Sequence, residues 1–191
     1  MKDITTTLFK VPASDAKPTC GTMLVSEPFL AERFFNHGVV SIIDYVASEG
    51  ATGVVMNNAT DYLLRDLIDG ISSEISVPVF CGGPVGQDRI FFIHTLGPDV
   101  IAGAREYAPG MYVGGDFDAM VDYINAGYPV EGFVRFFIGY CSWNEGQLEK
   151  EIAGDTWAVV PATVSPHEIL SGSGDSYWHS SVRRLGPRYR S

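Results

Sequence analysis

Four side chains within the stretch GYCSWNEGQLEKEI, Gly139 to Ile152, have the chemistry to do work. Cys141 follows an apolar run and precedes a helix start, where the helix dipole would lower its thiol pKa and make it nucleophilic. The alternative is a small buried filler, the usual fate of a free cysteine. Trp143, Gln147 and Glu149 supply an aromatic face, an amide and a carboxylate, the groups that line binding sites for a ligand or partner. A second candidate is Gly82-Gly83-Pro84, whose successive backbone N–H groups could form a nest for an anion. A turn that needs positive φ would account for the same glycines. Asn57 closes an apolar run, and its amide either meets a polar ligand or ties down a loop. Asp44 stands among Ile42, Ile43 and Tyr45; buried and unpaired it would have a raised pKa, and a position at the rim of the core or a basic partner fits the same pattern better.

Other chemistries find no support. His94 lies in an apolar run, while His37, His167 and His179 fall in loops or at helix ends. None has a second ligand at metal spacing, so neither a metal nor a cofactor is expected. Asp116, Asp118 and Asp122 read as a helix start and one solvated face, not a calcium loop. GxSxG, the phosphate-binding lysine loop and GxGxxG after a strand are all missing. Three cysteines, Cys20, Cys81 and Cys141, do not make a disulfide framework. No run reaches the length of a membrane span, and the first residues lack the apolar centre of a signal peptide. A cytoplasmic protein with no membrane association is expected. The net charge of −10 argues against direct DNA binding. The exception is the end of the chain, with Arg183, Arg184, Arg188 and Arg190.

The elements that must position these residues follow from periodicity. With 191 residues, 46% of them hydrophobic, the chain suits one domain with an ordinary core. Residues 1–19 read as an arm, and residues 171–191 as a flexible connector, a short helix and an arginine-rich segment. Gly21 to Val25 predicts a strand, and Ser26-Glu27-Pro28 the capped start of a helix carrying Phe29, Leu30, Arg33 and Phe34. Val39–Val46 and Ala51–Asn57 predict a buried hairpin. Tyr62–Ile68 predicts a short helix closed by Gly70. Val77–Cys81 and Arg89–Leu96 predict a second hairpin about the turn GGPVGQD. Arg105–Tyr107 and Met111–Val113 are short strand candidates, and Asp116–Ala126 is an amphipathic helix closed by Gly127. Phe133–Tyr140 is the most apolar strand and so central. A turn at Cys141–Trp143 then leads into a helix from Glu145 to Ala153, capped by Asn144 with Gln147 reaching back. Thr156–Val160 predicts a last strand, and Ser165-Pro166-His167-Glu168 a capped helix. Strands arranged in hairpins predict an α+β fold: a mostly antiparallel sheet or barrel-like core flanked by short helices.

The signature stretch resembles that of the YqgE/AlgH family of bacterial proteins, through Gly139, Tyr140, Trp143, Gly146, Gln147, Leu148, Glu149, Glu151 and Trp157. The likeness continues in GTMLVSEPFL (Gly21–Leu30), EGATGVVMNN (Glu49–Asn58) and CGGPV (Cys81–Val85), in the same order. The resemblance implies a recognised fold, no established catalytic activity and a name that reflects a proposed regulatory link to alginate production. The chain departs from the family at Tyr45, usually histidine, and at Asn58 and Ala59, usually a basic residue and proline. Cys141 stands where alanine is more common. Acid–base chemistry through that histidine is therefore not available here.

Together these readings point to a non-enzymatic binding or regulatory module for an unknown protein or small ligand. Its candidate contact residues are Trp143, Gln147, Glu149, Asn57, Gly82 and Gly83. The alternative is an enzyme of unknown reaction using Cys141 or Glu149 beside the Gly82-Gly83-Pro84 turn.

Overall fold

A computed structural model describes residues 17–161 and 163–186. Most of the expected arm, and Arg188 and Arg190 of the basic tail, lie outside the described residues. The chain runs β1 (Met23–Ser26), β2 (Val39–Val46), β3 (Gly50–Val55), β4 (Ala59–Leu63), α1 (Leu64–Leu67), β5 (Pro78–Cys81), β6 (Val85–His94), β7 (Arg105–Ala108) and β8 (Met111–Val113). It continues through α2 (Phe117–Asn125), β9 (Val134–Asn144), α3 (Gln147–Ala153), β10 (Trp157–Val159), α4 (Pro166–Ile169) and α5 (Gly174–Arg184). One sheet joins the strands in the order β10-β1-β2-β3-β9-β6-β8-β7, with β5 also on β9 and β4 on β5. The pairings are antiparallel except for β5 against β9. The fold is thus the α+β class that the hairpin pattern predicts, in its open form and not as a closed barrel.

Apolar runs form strands here because both faces of the sheet are covered. Alternate residues of β1 and β2 point to opposite sides, so Met23, Val25 and Val39 join one core cluster and Leu24, Val40 and Ile42 another. A bulge between Ile42 and Asp44 ends the two-sided burial and leaves Asp44 exposed at the rim. The amphipathic helix α2 buries Met120 and Ile124 in a third cluster with Phe92 and Phe136. Its cap is Asp116, which accepts from the N–H groups of Asp118 and Ala119. The helix α4 carries the expected Ser165–Glu168 capping box.

The structure corrects several local expectations. Residues 27–37 make turns, not a helix. The cap-type hydroxyl of Ser26 instead accepts from the Gly38 N–H at 3.0 Å, and its carbonyl accepts from the Trp178 indole at 3.2 Å. These long-range bonds hold Ser26 in β1 and outcompete the local cap. The helix expected at 62–68 shrinks to α1, because Ala59–Leu63 pairs with β5. The connector at 171–176 is short and tied down: the Gly172 N–H donates to Glu131 and the Gly174 N–H to the Asn57 carbonyl. From it α5 packs Tyr177, Trp178 and Val182 into the core.

The second hairpin is also not one. Strands β5 and β6 do not pair with each other; each pairs with Phe136–Ile138 of β9, on opposite edges of that central strand. Gly82-Gly83 carries the chain from one edge to the other. A Cβ on Gly83 would lie 2.3 Å from the Tyr140 carbonyl carbon, and one on Gly139 would lie 2.2 Å from the Gly83 carbonyl oxygen. The crossing therefore needs hydrogen as the side chain on both backbones. Nearby, the buried Arg135 of β9 donates to the carbonyls of Met56, Leu170 and Gly172, with its guanidinium 4.0 Å over the Phe80 ring. Those bonds satisfy its fork of donors and lash the α4–α5 connector to the sheet. None of the helices among the described residues is long and apolar enough to cross a membrane.

Candidate functional site

The strand β9 does not end at Tyr140 but runs on to Asn144, pairing Cys141–Asn144 with Gly50–Gly53 of β3. The turn into α3 uses Gly146, at φ +73, as the N-cap residue, a conformation costly for any residue with a Cβ. Gln147 does reach back, as its Oε1 accepts from the Asn144 N–H at 3.0 Å. The helix expected from Glu145 thus begins at Gln147, and the reason is that cross-strand bonds to β3 extend β9.

This extension sets the site. Trp143 is swung under α3, where Gln147 and Glu151 share one face at i and i+4. Glu151 Oε2 accepts from the indole N–H of Trp143 at 2.8 Å and from that of Trp157, on β10, at 2.9 Å. Glu151 Oε1 accepts from the Gln147 side-chain amide at 3.0 Å. The two indoles meet edge to face at 6.2 Å, and Phe35 meets Trp157 in the same manner at 5.5 Å. One carboxylate thereby clamps β9, β10 and α3 together. Above the clamp lies a cleft of about 330 Å3 whose lining also includes Leu30, Glu32, Pro84, Val85, Ser142 and Thr156.

The expected site residues separate. Trp143 and Gln147 line the cleft. Glu149 does not: it faces β2, where its carboxylate accepts a short hydrogen bond from the Tyr45 hydroxyl. That bond raises the Tyr45 pKa and keeps the phenol protonated. Cys141 lines the cleft floor but is buried, with its thiol donating to the Gly82 carbonyl at 3.3 Å. Burial pushes its pKa well up, because a thiolate there would lose its hydration. As a strand residue it also lacks the helix dipole that would have favoured the thiolate. Gly82 and Gly83 are buried at the crossing, where the Gly82 N–H donates to the Ile138 carbonyl and the Gly83 carbonyl accepts from Gln87. Asn57 stands apart. Its amide accepts from the Val39 N–H and donates to the carbonyls of His37 and Gly174, tying three segments as a buried amide usually does. His94 is buried between the Gly114 carbonyl and the Leu96 N–H, and burial lowers its pKa. Among the described residues no group of three or more acidic, histidine or cysteine side chains is placed to hold a metal.

Sequence reasoning passed over Glu151, Trp157, Phe35 and Glu32 as site residues. The i, i+4 spacing of Gln147 and Glu151 was a usable signal for the first. The others come from β10 and the 27–37 turns, whose approach to α3 is a matter of tertiary structure.

A family model described as AlgH-like matches residues 23–190, nearly the whole chain. The chain belongs to the AlgH-like family. Among its relatives, the UPF0301 protein of Parabacteroides distasonis is 39% identical over 183 residues, which cover 96% of this chain and 91% of that one. A UPF0301 protein of Bacteroides fragilis is 35% identical over 98% of this chain and 93% of its own length. Two solved structures share the fold. The solution structure of the AlgH protein from Pseudomonas aeruginosa has a TM-score of 0.68 at 24% identity, covering 90% of this chain and 92% of its own. The crystal structure of protein DIP2367 from Corynebacterium diphtheriae has a TM-score of 0.67 at 21% identity, covering 90% and 89%. Within this AlgH-like chain five of the family-signature residues build the two features above. Gly139 serves the crossing, while Trp143, Gln147, Glu151 and Trp157 form the clamp.

Proposed function

We propose that this AlgH-like protein is a non-enzymatic binding or regulatory module of the cytoplasm, and that its ligand or partner docks in the cleft over the indole–carboxylate clamp. The observation that carries the reading is the clamp itself. It fixes Trp143, Gln147, Glu151 and Trp157 by mutual hydrogen bonds, giving a rigid polar and aromatic surface of the kind that binding sites use. The cleft's thiol, Cys141, is held protonated and spent on a carbonyl, and among the described residues no histidine lines the cleft to act as its base. Three free cysteines fit a reducing compartment, and the net charge of −10 favours a protein or small-molecule partner over nucleic acid. Native mass spectrometry of gently purified protein tests this. A species retained by the wild type and by Lys150→Ala, but lost from Val85→Arg, which obstructs the cleft from an exposed position outside the clamp, supports docking in the cleft. Retention by all three places the docking surface elsewhere.

A further inference from the structure

The cleft has an unusual charge arrangement. Glu151 is half-buried, yet all three groups that donate to its carboxylate are neutral: two indoles and an amide. Among the described residues no lysine, arginine or histidine comes within ion-pair distance of it, and no basic side chain lines the cleft. A second carboxylate, Glu32, lies on the same lining and is exposed. Phe35 is a half-buried ring on the same lining, edge to face with Trp157. The clamp organises negative charge without neutralising it, in a molecule that already carries a net −10.

The rim has a complementary oddity. Val85 is 39% exposed and Phe29, next to Leu30, is 71% exposed. Exposed apolar side chains gathered beside a concave polar site are characteristic of a protein-docking surface.

On the reading that this cleft is the docking site, we propose that it receives an arginine side chain from a partner protein, flanked by apolar residues that cover Phe29, Leu30 and Val85. Charge complementarity selects a cation. Guanidinium fits better than ammonium because it is planar, less strongly hydrated, able to pair two acceptors and able to stack on an aromatic ring. The apolar rim selects a peptide over a free small cation.

The test follows the indole N–H resonances of Trp143 and Trp157 by NMR while the full chain is titrated with acetyl-Leu-Arg-Leu-amide. The expected result is a saturable shift of both, with the citrulline version of the peptide binding at least fivefold more weakly, since it has the same shape without the charge. Acetyl-arginine-amide, lacking the leucines, binds more weakly than the full peptide. Glu32 is exposed on the cleft lining, so Glu32→Lys supplies an internal cation without disturbing the core and abolishes the shift. Glu32→Gln, which removes the charge and adds none, narrows the preference for arginine over citrulline. Equal binding of the arginine and citrulline peptides overturns the cation and leaves the cleft as a docking site. Equal binding of acetyl-arginine-amide overturns the protein partner in favour of a small cation. No shift with either peptide, or a shift that survives Glu32→Lys, overturns the inference, and the retention experiment above judges the docking site separately.

Discussion

Removing the Glu151 carboxylate is the most searching test of the clamp. In Glu151→Ala the indole N–H groups of Trp143 and Trp157 lose their acceptor, and both rings are about 95% buried or more. A stranded buried donor costs about 1–3 kcal/mol. Glu151 is itself half exposed, so water entering from the cleft recovers part of that cost, and the net loss is about 2–4 kcal/mol. Glu151→Gln keeps a carbonyl oxygen where both indoles donate but turns an NH2 toward the Gln147 amide, for a loss of about 1–2 kcal/mol. Urea unfolding followed by tryptophan fluorescence reads both. With a slope near 2 kcal/mol per molar, the midpoint falls by about 1–2 M for the alanine variant and about half that for the glutamine variant. Lys150→Ala, on the exposed side of the same helix, stays within about 0.5 kcal/mol. If Glu151→Ala also stays within that margin, the clamp does not organise this end of the fold, and the rigid-site argument fails with it.

Other perturbations probe separate links. Gly83→Ala places a Cβ 2.3 Å from the Tyr140 backbone, a clash that costs more than about 4 kcal/mol and removes the cooperative unfolding transition. Gly146→Ala meets nothing within 4 Å and loses only about 1 kcal/mol for its left-handed backbone. In mild alkylation at neutral pH the exposed Cys20 reacts, while buried Cys81 and Cys141 react only in urea; fast labelling of Cys141 in the folded protein would contradict the protonated, spent thiol. Burial lowers the His94 pKa, so its neutral form is favoured in the folded state. The unfolded chain then takes up the proton first as pH falls through the ordinary histidine value, and the stability contribution present above that pH is lost below it. The stability gap between the wild type and His94→Gln therefore narrows from pH 7.5 to 5.5, and a constant gap would refute the assignment.

Where local pattern and tertiary contacts agree, the sequence is readable. The β2–β3 hairpin, the helix α2 with its Met120–Ile124 face and the capping box of α4 all follow from residues within one turn or one strand of each other. Ser26 shows the opposite case: its hydroxyl, next to Glu27 and Pro28, is a sound cap signal, but the Gly38 N–H, 12 residues away, takes that hydroxyl and the Trp178 indole, 152 residues away, takes the Ser26 carbonyl. Gly82 and Gly83 announce a need for small residues, yet nothing local says that the chain crosses β9 there instead of turning back. Glu151 could be placed on the Gln147 face by helical spacing, whereas Trp157 could be assigned to it only by knowing that β10 returns beside β1.

The clamp also limits what the family signature can reveal about function. Trp143, Gln147, Glu151 and Trp157 pin a strand end, a helix start and an edge strand together, so loss of any of them perturbs the fold before it perturbs a ligand. A defect in such a variant is ambiguous. The informative positions are those on the cleft lining that do not carry the fold, Val85 and Glu32, with the exposed ring of Phe29 next to Leu30. Changing them leaves the hydrogen bonds of the clamp in place, so a change in binding there reports on the surface itself. If all three prove silent while Gln147→Ala is not, then the signature is a folding device and the docking surface lies outside this cleft.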